Sequence, residues 1–311
     1  MRILIWHVHG SWTTAFVQGD HEYLIPATPD RGPDGLGRAR TWDWPESAIE
    51  VTREEAADAD VDVIVLQRPR ELETLAGEWL GGRQPGADVP AVYVEHNAPQ
   101  GRIAEMRHPA ADRPDLALIH VTHFNDLFWD AGSTPTRVIE HGIVDPGYRY
   151  TGELPHAAVV INEPSRRGRV TGTDLLPALN GRVPLDLFGM GVAALGGYED
   201  LRQERLHDEM ARRRVYLHPI RWTSLGLSLI EAMQLGMPVV ALATTEVPEA
   251  VPPGAGVVST DLEELRGGLR RLIEDLDEAR ACGEAARKAA IERFGLDDFL
   301  KDWDSLLDEV A

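Results

Sequence analysis

Short runs of Val, Ile and Leu recur along this chain and alternate with segments of helical periodicity. That alternation limits it to an α/β architecture built on parallel sheets. In the first half, strands are predicted at Arg2–Val8, Glu22–Ala27, Val61–Leu66, Ala91–Glu95, Leu116–Val121 and Arg137–Glu140. Between them, Thr52 and Glu55 form a capping box that opens a short helix. Leu72, Leu75, Ala76, Trp79 and Leu80 recur at helical spacing over Arg70–Leu80, and another helix is predicted near Asn125–Ala131. Residues Thr28–Pro45 are punctuated by Gly and Pro without periodicity and read as a long loop. The second half repeats the pattern, with strands at Ala157–Ile161, Leu185–Phe188, Val215–His218 and Pro238–Ala243. Its helices are predicted at Gly172–Leu179, Arg202–Arg214 and Leu225–Leu235, and further helices close the chain, the last at Leu296–Val310. A length of 311 residues is twice that of a typical domain. Two domains are predicted, 1–148 and 149–295, with the helix 296–311 crossing back to the first.

Composition excludes several classes of partner. Fifty-one acids against 31 bases leave a net charge of −20, the wrong sign for nucleic acid or an anionic membrane surface. No apolar run approaches the roughly 18 residues of a membrane span, and Met1–Val8 turns polar too soon for a signal peptide or anchor. Cys282 stands alone, which excludes an internal disulfide or a thiolate metal site and points to a reducing cytoplasm. Positive charge is nevertheless concentrated at Arg166, Arg167 and Arg169 and again at Arg212, Arg213, Arg214 and Arg221, as a phosphorylated ligand would require.

In open parallel sheets, ligands bind beyond the carboxyl ends of the strands. The most informative such segment is His218–Gly236, in which a strand, a polar loop and a helix starting near Leu225 and Gly226 follow one another. Free amides and the dipole at that helix start suit a phosphate, and Gly226 allows close approach to the backbone. Glu231, inside the helix, is placed to accept two hydrogen bonds from a ribose diol.

This stretch resembles the donor-binding signature of retaining GT-B glycosyltransferases, in particular the family 4 type within glycosyl transferases group 1. The match falls on Pro219, Gly226, Glu231, Ala232, Met233, Gly236, Pro238, Val239 and Val240. Ile220 and Leu225 depart from the pattern, and Thr223 stands where the family carries a first glutamate that binds hydroxyls of the transferred sugar. The segment Glu140–Asp145 resembles the family's Asn-Gly-Val-Asp step, with His141 in place of Asn. Val159–Leu176 resembles its strand, Gly-Arg loop and Lys-Gly helix start, where an arginine and a lysine neutralise the donor diphosphate. Gly172 matches, Thr171 replaces the lysine, and Arg166, Arg167 and Arg169 supply the charge. Gly189-Met190-Gly191 resembles the loop beside the nucleobase.

The resemblance is strong over 140–311 and thin over the first 139 residues. It implies two Rossmann-like domains facing across a cleft, and transfer of a sugar from a nucleoside-diphosphate-sugar co-substrate with retention of configuration. It implies neither a cofactor nor an essential metal. The donor contacts would be Gly10, Arg167, Gly189, Gly191, Thr223, Ser224, Leu225, Gly226 and Glu231, and the catalytic group His96 with Arg166 and Arg169. His7, His9, Trp12, His120, Thr122 and His123 are candidates for the acceptor side. His7 and His9, two apart on a predicted strand, are expected to face one side, without a third metal ligand. The Asp58-Ala59-Asp60-Val61-Asp62 run imitates a metal-binding Asp-x-Asp motif but precedes a strand, at the wrong end of the sheet. No basic amphipathic helix is evident, so the acceptor is expected to be a soluble small molecule or glycan, without strong membrane association.

Two alternatives remain open. A nucleotide-sugar epimerase or hydrolase would use the same donor site, and a non-catalytic nucleotide-binding protein would explain Thr223 and Thr171. An NAD-dependent enzyme fits less well, because no G-x-G-x-x-G follows the first strand.

Overall fold

Among the residues that the computed structural model describes, 1–181 and 183–311, every pairing between strands is parallel. Buried runs of Val, Ile and Leu demand this arrangement once helices cover both faces of a sheet. The chain divides into two units, Met1–Val144 with Leu296–Ala311, and Asp145–Gly295.

The first unit carries β1 (Arg2–Ile5), β2 (Glu22–Pro26), β3 (Ala48–Val51), β4 (Val63–Leu66), β5 (Ala91–Glu95), β6 (Ala117–His120) and β7 (Thr136–Val138). Their spatial order is β3-β2-β1-β4-β5-β6-β7. Ile3 on β1 is flanked by Tyr23 on one side and Val63 on the other. The direction of travel therefore reverses between β1 and β4, which creates a crevice at the carboxyl ends of those two strands. The closing helix, Leu296–Val310, belongs to this unit and buries Phe299, Trp303, Leu306 and Leu307. Trp303 meets Trp12 and Phe16 edge-on with ring centroids 5.6 and 5.0 Å apart. Each such aromatic pair adds about 0.5–1.5 kcal/mol to the burial itself.

The second unit carries β8 (Leu154–Val160), β9 (Leu185–Phe188), β10 (Arg213–His218), β11 (Val239–Leu242) and β12 (Gly256–Ser259). The order is β12-β11-β10-β8-β9, so the reversal falls between β8 and β10.

Several elements differ from the sequence-based expectation. β1 stops at Ile5 rather than Val8, because the chain leaves the sheet to enter the helix Gly10–Phe16. β3 and β12 are short edge strands that fall outside the predicted ones, and neither is a continuous buried run. The helix Leu276–Arg293 is also unpredicted. Its buried stripe is Ala279, Gly283, Ala286 and Ala290, too small to show as hydrophobic periodicity. A Cβ at Gly283 would overlap the carbonyl of Gly236, so the small residues permit close backbone approach. Arg166, Arg167 and Arg169 lie on a helix, Pro164–Thr171, and not on the predicted loop. Pro164 favours that helix start, since proline at the first helical position loses no hydrogen bond.

Candidate nucleotide-sugar site

In the second unit, the segments leaving β8 and β10 meet at the switch point. The backbone after β8 is laced to the loop after β9. Glu163 N donates to Met190 O at 2.7 Å, and Met190 N donates to Asn162 Oδ1 at 2.9 Å. Gly189, at φ 124°, leaves no room for a Cβ against the Ile161 carbonyl. Gly191 also has positive φ, at 76°.

The helix Pro164–Thr171 ends on Gly172 at φ 72°, where a Cβ would overlap the Pro219 carbonyl. Arg221 N donates to Val170 O at 2.9 Å, so the helix end is fastened to the loop that follows β10. This fastening brings a fourth guanidinium, Arg221, to the three on the helix. It donates through Nη1 to Arg169 O at 2.9 Å and through Nη2 to Asp174 Oδ2 at 3.0 Å. Arg169 Nη1 lies 3.4 Å from the same Asp174 oxygen, and Arg166 Nε donates to Glu163 Oε2 at 2.6 Å. The Arg221 guanidinium holds the Asp174 carboxyl below the usual carboxylate range. Arg166 is thus paired with Glu163 while Arg169 and Arg221 share Asp174, three guanidiniums against two carboxylates. Thr171 is buried, and its hydroxyl is engaged with Arg167 O and Thr173 Oγ1 at 3.2 and 2.8 Å.

The loop Pro219–Gly226 ends where Gly226 caps the helix Leu227–Gln234. Thr223 and Gly226 are half-buried, whereas Ser224 and Leu225 are buried. Beneath Gly226 lies His218, which has no exposed surface and no partner at Nε2. Burial lowers its pKa to about 4, so the ring is neutral. Glu231 is only 2% exposed. Gln203 Nε2 donates to its Oε2 at 2.9 Å and to His207 Nε2 at 2.8 Å. That His207 nitrogen is thereby an acceptor, and its 3.4 Å approach to Glu231 Oε2 is contact without a proton between them. The sequence reading missed Gln203 and His207. The only signal was two polar residues four apart on an amphipathic helix.

In the first unit, residues after β1, β4 and β5 converge on the other switch point. His7 and His9 do not face one side, since the strand ends before them and its alternation no longer applies. His7 Nδ1 donates to Gly37 O at 3.0 Å, and its ring lies 4.8 Å from that of Trp44. His9 instead places its ring 4.1 Å from that of His96. Gly10 begins the following helix, where a Cβ would sit 3.4 Å from Trp42 Nε1. His96 is buried, and burial, followed by the neighbouring His9 and His141, holds its pKa well below the usual histidine value. His141 is buried as well, with its pKa lowered to about 3, first by burial and then by His9.

The remaining acceptor-side candidates fall elsewhere. Trp12 has no exposed surface and stacks on Phe16 with ring centroids 5.0 Å apart, so it is core rather than lining. Thr122 is a buried helix cap that accepts from Asn125 N at 3.1 Å. His120 is likewise inaccessible, its pKa lowered to about 4 by burial. His123 alone among these is exposed. The acidic run ending at Asp62 lies at the amino end of β4, where Asp62 Oδ2 accepts from Arg2 N at 2.6 Å. Among the described residues, no three His, Cys, Asp or Glu side chains are grouped to hold a metal ion, and no helix is long and apolar enough to cross a membrane.

Residues 197–289 match the family model described as glycosyl transferases group 1. A stretch of 98 residues is 33% identical to MMP alpha-(1->4)-mannosyltransferase of Mycolicibacterium hassiacum, covering 30% of this chain and 24% of that protein. The match thus spans about a quarter of that relative's length. Among solved structures, sucrose-phosphate synthase from Thermosynechococcus elongatus superposes with a TM-score of 0.69 at 15% identity, over 99% of this chain and 98% of that one. Anabaena Alr3699/HepE in complex with UDP superposes with a TM-score of 0.68 at 14% identity, over 99% and 100% of the two chains.

Proposed function

We propose that this chain, an α/β protein of the GT-B fold whose residues 197–289 match the family model described as glycosyl transferases group 1, transfers a sugar from a nucleoside-diphosphate sugar to an acceptor hydroxyl with retention of configuration. The observation that carries the reading is the cluster at the β8/β10 switch point. Arg169 and Arg221 meet there over Asp174, Arg166 and Arg167 lie on the same helix as Arg169, and Arg221 belongs to the loop that leads to the Gly226 helix start. As the bond from the anomeric carbon to the diphosphate breaks, negative charge collects on phosphate oxygen. Guanidiniums and helix-start amides stabilise that charge. The acceptor oxygen bonds to the anomeric carbon on the same face, and its proton passes to the departing phosphate. Glu231 has the role of ribose acceptor, and Gly189–Gly191 that of the base loop. Neither a cofactor nor a resident metal is part of this proposal.

The related structures are consistent in kind, one being described in complex with UDP and another with UDP and glucose. Thr223 favours a second reading, binding without transfer, because it replaces a sugar-binding carboxylate. Calorimetric titration with UDP, GDP, ADP and dTDP, without added metal, tests the first step. Stoichiometric binding of one diphosphate supports the site, and turnover of its sugars with an acceptor panel supports transfer. Absence of binding by all four overturns both readings, while binding without turnover favours the second.

A further inference from the structure

We propose that the cavity at the amino ends of β8, β9 and β10 is a second binding site, for a small phosphate monoester. It belongs to the same unit as the nucleotide-sugar site but lies at the opposite end of the sheet, and it stands independently of the transfer reading.

His156 of β8, Asp186 of β9 and Arg213 of β10 line this cavity, which measures about 450 Å³. Arg205, Glu209 and Arg212 join them from the helix Gln203–Arg212. Arg213 is 4% exposed. Its Nε donates to Asp186 Oδ2 at 2.8 Å, and its Nη1 to Glu209 O and Oε2 at 2.7 and 2.5 Å. The guanidinium carbon lies 5.1 Å from the centroid of the Phe188 ring and 5.9 Å from that of Tyr198. A buried cation held in this way is pre-organised, and among the described residues its Nη2 meets no acceptor. Arg205 pairs with Glu209. Arg212 donates through Nη1 to Glu209 Oε2 at 3.2 Å and through Nε to Glu153 Oε1 at 2.5 Å. His156 Nδ1 donates to Asp186 Oδ2 at 2.9 Å.

Three guanidiniums and an imidazole therefore gather round three carboxylates, in a chain whose acids outnumber its bases by 51 to 31. The carboxylates are already engaged, Asp186 by two basic groups, Glu209 by three and Glu153 by Arg212. Each guanidinium carries five N–H donors, and these partners use no more than three on any of them. A phosphate takes several such donors at once and matches the guanidinium fork. His156 adds Nε2, which donates to an oxyanion when the ring is protonated and accepts from a hydroxyl when it is neutral. The volume falls within the roughly 300–1,000 Å³ of small-molecule sites, so a bare phosphate would leave most of it empty. Tyr198 is 50% exposed and stacks on Phe188 with ring centroids 5.2 Å apart. With Leu154 and Leu201 it gives the body of a sugar-sized monoester an apolar wall.

The test is equilibrium dialysis of the full chain against radiolabelled inorganic phosphate, in chloride buffer of constant ionic strength. The expected result is one bound equivalent that remains in Arg221→Ala, a change at the nucleotide-sugar site. In Arg205→Ala/Arg212→Ala its affinity falls about tenfold for each arginine removed. Ribose 5-phosphate displaces the label at lower concentration than unlabelled phosphate does, and ribose does not displace it. Absence of saturable binding, full binding in the double variant, or loss in Arg221→Ala overturns the site. Displacement by ribose, or by ribose 5-phosphate no better than by phosphate, overturns the monoester class. Both arginine side chains are exposed, at 61% and 42%. If the double variant nevertheless fails to fold, Arg205→Gln and Arg212→Gln decide singly, each expected to weaken phosphate binding. The dialysis needs no nucleotide, so its failure is separate from failure of the diphosphate titration.

Discussion

A Cβ placed on Gly226 would lie 2.5 Å from Cε1 of the buried His218. The last residue of β10 and the cap of the following helix are thus packed too closely for any side chain at position 226. Gly226→Ala forces the imidazole or the helix start to move, at about 1–3 kcal/mol. Thermal melting is expected to show that loss, and calorimetry weaker binding of the nucleoside diphosphate. A variant as stable as wild type would mean that the loop is not held by this contact.

Asp174 competes with any phosphate for Arg169 and Arg221. Asp174→Asn is therefore expected to tighten diphosphate binding by a few-fold, and Arg221→Ala to weaken it by about tenfold, as loss of a charge-assisted hydrogen bond would. The salt dependence of the affinity should flatten in Arg221→Ala. If Asp174→Asn weakens binding instead, the carboxylate serves to hold Arg221 in place.

Glu231 is held inside the fold by Gln203, from another helix. Glu231→Ala leaves the Gln203 amide with His207 as its remaining acceptor, a cost of about 1 kcal/mol for the lost hydrogen bond, and removes the proposed ribose contact. Urea unfolding reads the first effect and nucleotide titration the second. Gln203→Ala separates them, because it should lower stability with a smaller effect on affinity. Unchanged nucleotide affinity in Glu231→Ala would remove the ribose assignment.

Stability should fall as the pH drops below about 6.5, the value for histidine in an unfolded chain. His120 and His218 titrate near 4 in the folded state because burial penalises the charged ring. Between those limits the unfolded chain binds more protons, so acid favours it, and each ring withdraws about 2 kcal/mol by pH 5. Urea unfolding at pH 7 and pH 5 measures this, and His120→Leu should reduce the difference. No difference in the wild-type chain would mean that these rings find proton-stabilising partners on acidification.

The C-terminal helix supplies the partner of Trp12 and Phe16 within the first unit. Trp303→Ala should cost about 3–5 kcal/mol, seen as a lower melting temperature.

Elements governed by local pattern were legible in the residues themselves. Strands β5 and β9 and the helix Leu296–Val310 have the predicted bounds. Thr52 and Glu55 form both hydrogen bonds of the capping box. A strand buried on both faces must be continuously apolar, and an amphipathic helix must repeat every three or four residues, so these elements are marked along the chain. The segments proposed for the donor do follow strands, as the sequence pattern indicates, at the ends where parallel sheets present ligands.

Tertiary structure decided what depends on partners distant in sequence. It separated His7 from His9, made a helix of the arginine segment, and added Arg221 to it through a clasp between Val170 and Arg221. It also paired Gln67 with His96 and Glu231 with Gln203, across 29 and 28 positions of chain. Such bonds carry no periodic signature. Each exists because burial removes the water that would otherwise satisfy those groups, and the partner is whichever side chain the packing brings within reach. The sequence determined the strands and helices whose local pattern is strong, such as β5, β9 and the closing helix. Packing decided which atoms hold a proton, a charge or an empty lone pair.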